Sequence, residues 1–168
     1  MFIVYKKTNC IYEQEMKIVS LDPGVTTGYA VGHIEDGVMY VRAGQEVWSH
    51  NELWQELHLA KPDAIVCESF EYRNRSRAGL ILFSVELIGI VHLFCSPSYQ
   101  NPSVALFMQS AAKGKSYYSN THLQNDNVYK RGIPHGMDAL RHLLHWYTFS
   151  AGFQYNKHGF APTEGEGQ

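Results

Sequence analysis

The sequence predicts an α/β fold. Three observations lead there: three strand patterns in succession near the start, a short and fully apolar run in the middle, and helical patterns that fill most of the second half. Residues 17–21, 29–34 and 38–43 read as strands, with Glu35-Asp36-Gly37 supplying turn chemistry between the last two, so the three form an antiparallel meander. Ser49-His50-Asn51 then offers capping residues for a helix carrying Leu53, Trp54, Leu57 and Leu59, which Lys61-Pro62-Asp63 stops. Ala64-Ile65-Val66-Cys67 has no polar alternation, the mark of a strand covered on both faces. From Leu80 to Leu93 the chain is apolar nearly all round, as expected of a central helix that covers the sheet or meets a partner subunit. Ser96-Pro97 and Asn101-Pro102 break the chain around a short strand or loop at Tyr99. Pro102 suits the first turn of a further helix reaching Ala112. Residues 113–134 read as polar loop with one short helix, and 135–149 as the last helix.

A chain of 168 residues fits one domain with a sizeable core. The expected division is an N-terminal extension over 1–15, a domain over 16–149 and a flexible tail over 150–168. Residues 1–15 lack a clear period, and Met16 reads as a natural beginning. The net charge of −2 gives no global attraction to nucleic acid, so any such affinity has to come from local patches. Cys10, Cys67 and Cys95 are sparse and form no Cys-x-x-Cys pair, which points to reduced thiols in a cytosolic compartment. The start has no sustained apolar core of a secretory signal, and the run from Gly79 to Cys95 contains Glu86 and His92 and falls short of the ~20 apolar residues of a membrane span. No membrane partner is expected.

Three acids stand where chemistry is easily built. Asp22 ends the first apolar strand and enters the turn Pro23-Gly24-Val25-Thr26-Thr27-Gly28; Glu68 ends the run 64–67; Asp138 opens the last helix, three residues after His135. A carboxylate leaving a buried strand into a tight turn is held firmly and half-exposed, which suits a metal ligand. Two divalent cations about 3.5–4 Å apart stabilise both the attacking water and the leaving oxygen of a phosphodiester. Mg²⁺ keeps waters and takes substrate phosphate as a ligand, so scattered single carboxylates are what such a site needs. Each residue also has a plain reading: Asp22-Pro23-Gly24 as a turn, Glu68 as a solvated strand end, Asp138 as a first-turn acid favoured by the helix dipole, His135 as a cap.

The motifs Ile18-Val19-Ser20-Leu21-Asp22-Pro23-Gly24 with Gly28, Ile65-Val66-Cys67-Glu68, and His135-Gly136-Met137-Asp138-Ala139-Leu140 resemble, in that order, those of the RuvC-like Holliday junction resolvases of the ribonuclease H-like superfamily, which include small phage members. The resemblance covers about 16–147. It implies a mixed five-stranded sheet, its first three strands antiparallel, flanked by helices. It further implies a homodimer acting on branched DNA such as a four-way junction, with two Mg²⁺ or Mn²⁺ ions, in a bacterial or phage-infected cytosol. By the resemblance Asp22 bridges the two ions, Glu68 binds one, and His135 with Asp138 holds the other. His135 is similar to the His-x-x-Asp variant of the family, and imidazole tilts the preference toward Mn²⁺. Of the neighbouring groups, His142 lies one turn beyond Asp138 as a contact behind the site. Glu71 points to solvent, Glu86 suits an Arg partner, His145 reads as surface, and Cys67 as core.

Candidate contacts with nucleic acid flank these motifs. Arg73, Arg75 and Arg77 alternate after Glu68, and Lys113, Lys115, Lys130 and Arg131 precede His135; phosphate binding needs such charge beside the metals rather than over the whole surface. Phe70 and Tyr72 are candidates to stack on or wedge against bases at a branch point. In the bacterial resolvases an aromatic wedge follows the strand-end Glu, whereas here Glu71 holds that place between Phe70 and Tyr72. Two other readings use the same residues. One is a non-catalytic nucleic-acid-binding domain of the same fold; the other is a nucleotide-binding protein of the actin-like or sugar-kinase type, whose phosphate loop the Asp22–Gly28 turn would supply.

Overall fold

The computed structural model describes residues 3–6, 15–35, 38–70, 78–97, 104–150, 153–156 and 159–162. Its main sheet has six strands, β1 (Ile3–Lys6), β2 (Met16–Asp22), β3 (Thr27–Glu35), β4 (Val38–Glu46), β5 (Ala64–Ser69) and β6 (Ala105–Ser110), in the order β1-β4-β3-β2-β5-β6. β2, β3 and β4 form the expected antiparallel meander, while β5 and β6 join parallel to β2 on its other side. The sheet is therefore mixed, with its first three strands from Met16 antiparallel. The strand β1 adds an antiparallel edge beside β4, with Ile3 opposite Val41, that the sequence pattern of 1–15 did not announce.

Asp63 aligns the start of the parallel half. Its side chain accepts from the Lys17 N–H at 2.8 Å, its own N–H donates to the Lys17 carbonyl at 2.8 Å, and its carbonyl accepts from the Ala105 N–H at 3.1 Å. One residue thus ties β2, β5 and β6 at a common level. From there the strand period of two sends alternate side chains to opposite faces. Ile18, Ala30, Ile34, Val41, Ala64 and Val66 face one core; Val19, Leu21, Val31, Ile65 and Cys67 face the other.

The first core is closed by helix α5 (Pro134–Phe149) through Met137, Leu140, Leu143, Leu144 and Tyr147. The second is closed by α1 (His50–Ala60) through Leu53 and Leu57, and by α2 (Ala78–Phe94) through Leu87, Val91 and Phe94. Helix α1 starts and stops for the reasons legible in its sequence. Ser49 Oγ accepts from the Glu52 N–H at 3.3 Å while Glu52 accepts from the Ser49 N–H at 2.7 Å, a reciprocal cap, and Lys61 ends the helix in the left-handed region at φ 47°. Among the described residues no helix is long and apolar enough to cross a membrane.

One expected element is corrected. The segment read as a helix from Pro102 to Ala112 contains the strand β6, followed directly by the short helices α3 (Ala111–Tyr117) and α4 (Asn120–Asn125). Val104 to Met108 is continuously apolar, and such a run fits a buried strand as well as a buried helix. The neighbouring strand decided. Beside β5, Ala105 and Phe107 pack into the core under α5 while Leu106 and Met108 pack into the opposite one, so both faces of the run are used. The position around Tyr99, read as a strand or loop, lies outside the described residues. Beyond α5, β7 (Phe153–Asn156) and β8 (Gly159–Pro162) pair as a separate antiparallel hairpin within the segment read as a tail.

Candidate active site

Leu21 lies opposite Cys67 in the parallel pair β2–β5, so the next residues, Asp22 and Glu68, emerge side by side at the C-terminal ends of adjacent strands. Both follow the parity of Ile18 and Val66, which puts them on the face covered by α5. The N-terminal turn of α5 comes down onto β3 and β4 at this end of the sheet. Its approach requires glycine: a Cβ on Gly28 would lie 2.0 Å from the His135 carbonyl oxygen, and one on Gly136 would lie 2.5 Å from that of Gly44.

The cap residue of α5, Ile133, has no side-chain group to offer the helix. Gln45 of β4 does that work from across the sheet, its Oε1 accepting from the His135 N–H at 3.1 Å. The same residue, His135, turns its ring toward β2, with Nδ1 2.9 Å from Asp22 Oδ2. Two turns along the helix the pattern recurs: His142 places Nε2 2.9 Å from Glu68 Oε2, and its Nδ1 lies 3.0 Å from Gln109 Oε1. Each strand-end acid thus meets an imidazole from one helix.

Asp138 sits between these two histidines along α5 and is engaged by two cations. Lys115 Nζ donates to Oδ2 at 2.8 Å and Arg141 Nη1 donates to Oδ1 at 2.5 Å. Arg141 is itself buried; its Nε donates to the Tyr118 carbonyl at 2.8 Å and Nη2 to the Asn120 side-chain oxygen, so it locks the α3–α4 segment against α5. Gly114 makes that close packing feasible, since a Cβ there would sit 3.1 Å from Arg141 Cβ.

The charges feel one another. Burial pushes the Asp22 carboxyl above its ordinary range, the charge of Glu68 adds to the rise, the bond and charge of His135 oppose it, and Asp138 adds a further, smaller push upward. Burial works to lower the Lys115 pKa, yet its bond to Asp138 and the charges of Asp138, Glu68 and Asp22 raise it overall. Three carboxylates are therefore within electrostatic reach at one end of the sheet. Each is turned to a hydrogen-bond donor, and among the described residues no three His, Cys, Asp or Glu side chains close around a single metal position.

The other expected residues distribute as follows. Phe70 is partly exposed at the end of β5 and lines a cavity of about 260 Å³ with Pro23, Glu68, Ser84 and Ile88. Tyr72, Arg73, Arg75 and Arg77, together with Glu71, lie outside the described residues. Lys113 is exposed on α3, and Lys130 and Arg131 are exposed just before α5. Lys115, expected at phosphate, is on Asp138. Glu86, expected beside an Arg, pairs instead with His50 at 2.9 Å, because α1 packs against α2 at that level. His145 is half-buried against Phe149, with ring centroids 4.6 Å apart. Burial, followed by the charges of Lys113 and His142, lowers its pKa.

Sequence reading missed Gln45, Gln109 and Arg141. Arg141, three residues after Asp138, carried a signal in its helical spacing. Gln45 lies next to Glu46 at a strand end and Gln109 lies inside the misassigned strand, so neither carried one.

No family model matches the chain, and the search of curated proteins gave no match. Solved structures do. The chain is similar to Thermus thermophilus RuvC in complex with a Holliday junction substrate, at 16% identity and a TM-score of 0.61, over 80% of this chain and 95% of that one. It is similar to a second Thermus thermophilus RuvC structure at 16% identity and a TM-score of 0.56, with the same coverage. Identity this low speaks of backbone architecture. The sheet order, the helices on its two faces and this likeness agree: the chain has a ribonuclease H-like fold, the backbone architecture of Thermus thermophilus RuvC.

Proposed function

We propose that the protein is a divalent-metal-dependent, structure-selective DNA endonuclease that resolves branched DNA such as Holliday junctions. The observation that carries this reading is the placement of Asp22 and Glu68 at the ends of adjacent strands, each bonded to an imidazole of α5, with Asp138 on the same helix between those two histidines. The fold it shares with RuvC adds support, since that neighbour is bound to a Holliday junction.

The donor set fits hard divalent ions. Oxygen ligands suit Mg²⁺ and Mn²⁺, the imidazole of His135 favours Mn²⁺, and a cation among the acids would offset the burial and the carboxylate repulsion that raise Asp22. Asp22, Glu68, His135 and Asp138 are the residues that would hold the ions. Lys115 and the ring of His135, now bonded to the acids, would turn toward phosphate or metal as the site fills. Such ions, when bound, would supply Lewis acidity for hydrolysis of a phosphodiester to 5′-phosphate and 3′-hydroxyl ends. The residues of the chain orient that chemistry: α5 fixes the histidines, Gln45 fixes the start of α5, and Arg141 fixes Asp138.

Lys113, Lys115, Lys130 and Arg131, with Arg73, Arg75 and Arg77, are the proposed phosphate contacts, and Phe70 and Tyr72 the proposed stacking groups. Helix α2 leaves Leu82, Val85 and Leu93 exposed at 59%, 44% and 46%, an apolar surface we assign to a second copy of the chain. A homodimer would bring two sites to opposed strands of one junction, in the cytosol of a bacterium or an infected host.

The test is a cleavage assay with a labelled four-way junction, a linear duplex and an RNA–DNA hybrid, in Mg²⁺, Mn²⁺ or EDTA. Paired nicks in the junction that depend on metal are expected. An intact junction at every metal concentration would overturn the reading.

A further inference from the structure

Glu68 and Gln109 are directly opposite one another on the parallel strands β5 and β6. His142 reaches down from α5 and bridges them, with Nε2 at 2.9 Å from Glu68 Oε2 and Nδ1 at 3.0 Å from Gln109 Oε1. The ring is wholly excluded from solvent and Gln109 is nearly so, at 6% exposure. We propose that His142, locked by Gln109, is a positioning residue for Glu68: it clamps one carboxylate oxygen and presents the other to the cation site. This rests on the metal-dependent reading above and adds residues that reading does not require.

The chemistry follows from what each group can offer. An ionised Glu68 only accepts hydrogen bonds, so the bond to it comes from Nε2–H. The Gln109 amide can satisfy Nδ1 with either end, its oxygen accepting from Nδ1–H or its nitrogen donating to a bare Nδ1. In both arrangements Nε2 keeps its hydrogen on Glu68. The clamp therefore does not depend on the ring's charge.

A purely structural purpose explains this arrangement poorly. A buried imidazole and a buried amide both have to be desolvated and then satisfied, whereas a Leu at 142 would fill similar buried space with no polar group to place. What the pair adds over an apolar filling is a fixed direction for Glu68, whose partly exposed side chain would otherwise sample several rotamers. Hydrogen bonds to metal-binding carboxylates have this effect elsewhere, and their loss costs about 10–100-fold in metal affinity or activity.

The deciding measurement is isothermal titration of the metal-free, full-length protein with Mn²⁺, alongside junction cleavage over a Mn²⁺ series and junction binding in EDTA. His142→Leu is expected to weaken Mn²⁺ binding by about 10–100-fold and to move the cleavage midpoint to higher Mn²⁺ by a similar factor. Junction affinity in EDTA should be unchanged, and cleavage should recover as Mn²⁺ is raised. His142→Gln, whose amide can again donate to Glu68, should restore most of the binding. A folded His142→Leu protein that binds Mn²⁺ as tightly as the parent overturns the proposal. If that variant does not fold, Gln109→Leu decides, with weakened Mn²⁺ binding supporting the clamp and parental binding refuting it. Should the parent cut junctions while neither substitution moves the Mn²⁺ midpoint, only the clamp is lost; should the parent neither bind Mn²⁺ nor cut, the nuclease reading fails and takes the clamp with it.

Discussion

Asp22 is the residue on which the opposing demands of stability and chemistry fall hardest. Burial and two neighbouring carboxylates raise its pKa in the folded chain, so the charged form is disfavoured there relative to the unfolded chain. The contribution of Asp22 to stability is fully present below the ordinary Asp range and is lost as pH rises through the raised value. In metal-free buffer Asp22→Asn should therefore melt at a higher temperature than the parent near neutral pH, with the advantage vanishing in acid, while cleavage of a four-way junction is abolished and binding to it persists. Calorimetry across pH, paired with the cleavage assay, checks both halves; a variant that still cuts would remove Asp22 from the reaction. The cysteines give a second test at this scale. Burial pushes the Cys95 thiol up to about 12, and Cys67 is pushed higher still by burial and then by the charges of Glu68 and Asp22. Neither thiol should react with a disulfide reagent at pH 8 until the protein is denatured, and rapid native labelling at either position, located by peptide mapping, would contradict the packing.

At the scale of elements, the site depends on how closely α5 lies on the meander. Gly28 and Gly136 permit it, because each faces a backbone carbonyl that cannot move aside without moving a strand or a helix. Gly28→Ala should cost about 1–3 kcal/mol in stability, the usual range for overpacking, and should impair cleavage as His135 is displaced. Chemical denaturation measures the first effect; an unchanged midpoint would mean that the helix docks less tightly than it does here. Gln45→Ala removes a cap rather than a contact between masses. It should cost about 1 kcal/mol and reduce cleavage without changing junction affinity. Of these features the glycines were legible as motif letters. Gln45 was not, because a cap that arrives from another strand leaves no local spacing in the sequence.

For the whole molecule, the exposed apolar surface of α2 bears on assembly. If Leu82 and Val85 meet a second copy, replacing both with Glu should convert a dimer to a monomer in light scattering and abolish paired nicking while single nicks remain. A parent that is monomeric at all concentrations would leave that surface without its assigned partner. The sequence by itself determined the meander, the buried strand β5, the caps of α1, the long apolar helix and the last helix, since periodicity and turn chemistry are local. It also singled out Asp22, Glu68, His135 and Asp138, each at the end of a recognisable element. Only the tertiary structure decided that residues 105–110 are a strand, because an apolar run takes its form from the neighbour it pairs with. It alone set Glu68 beside Gln109 under His142, Gln45 beneath His135, and Lys115 on Asp138. Those contacts join positions far apart in the chain through register and helix docking, and no local pattern records them.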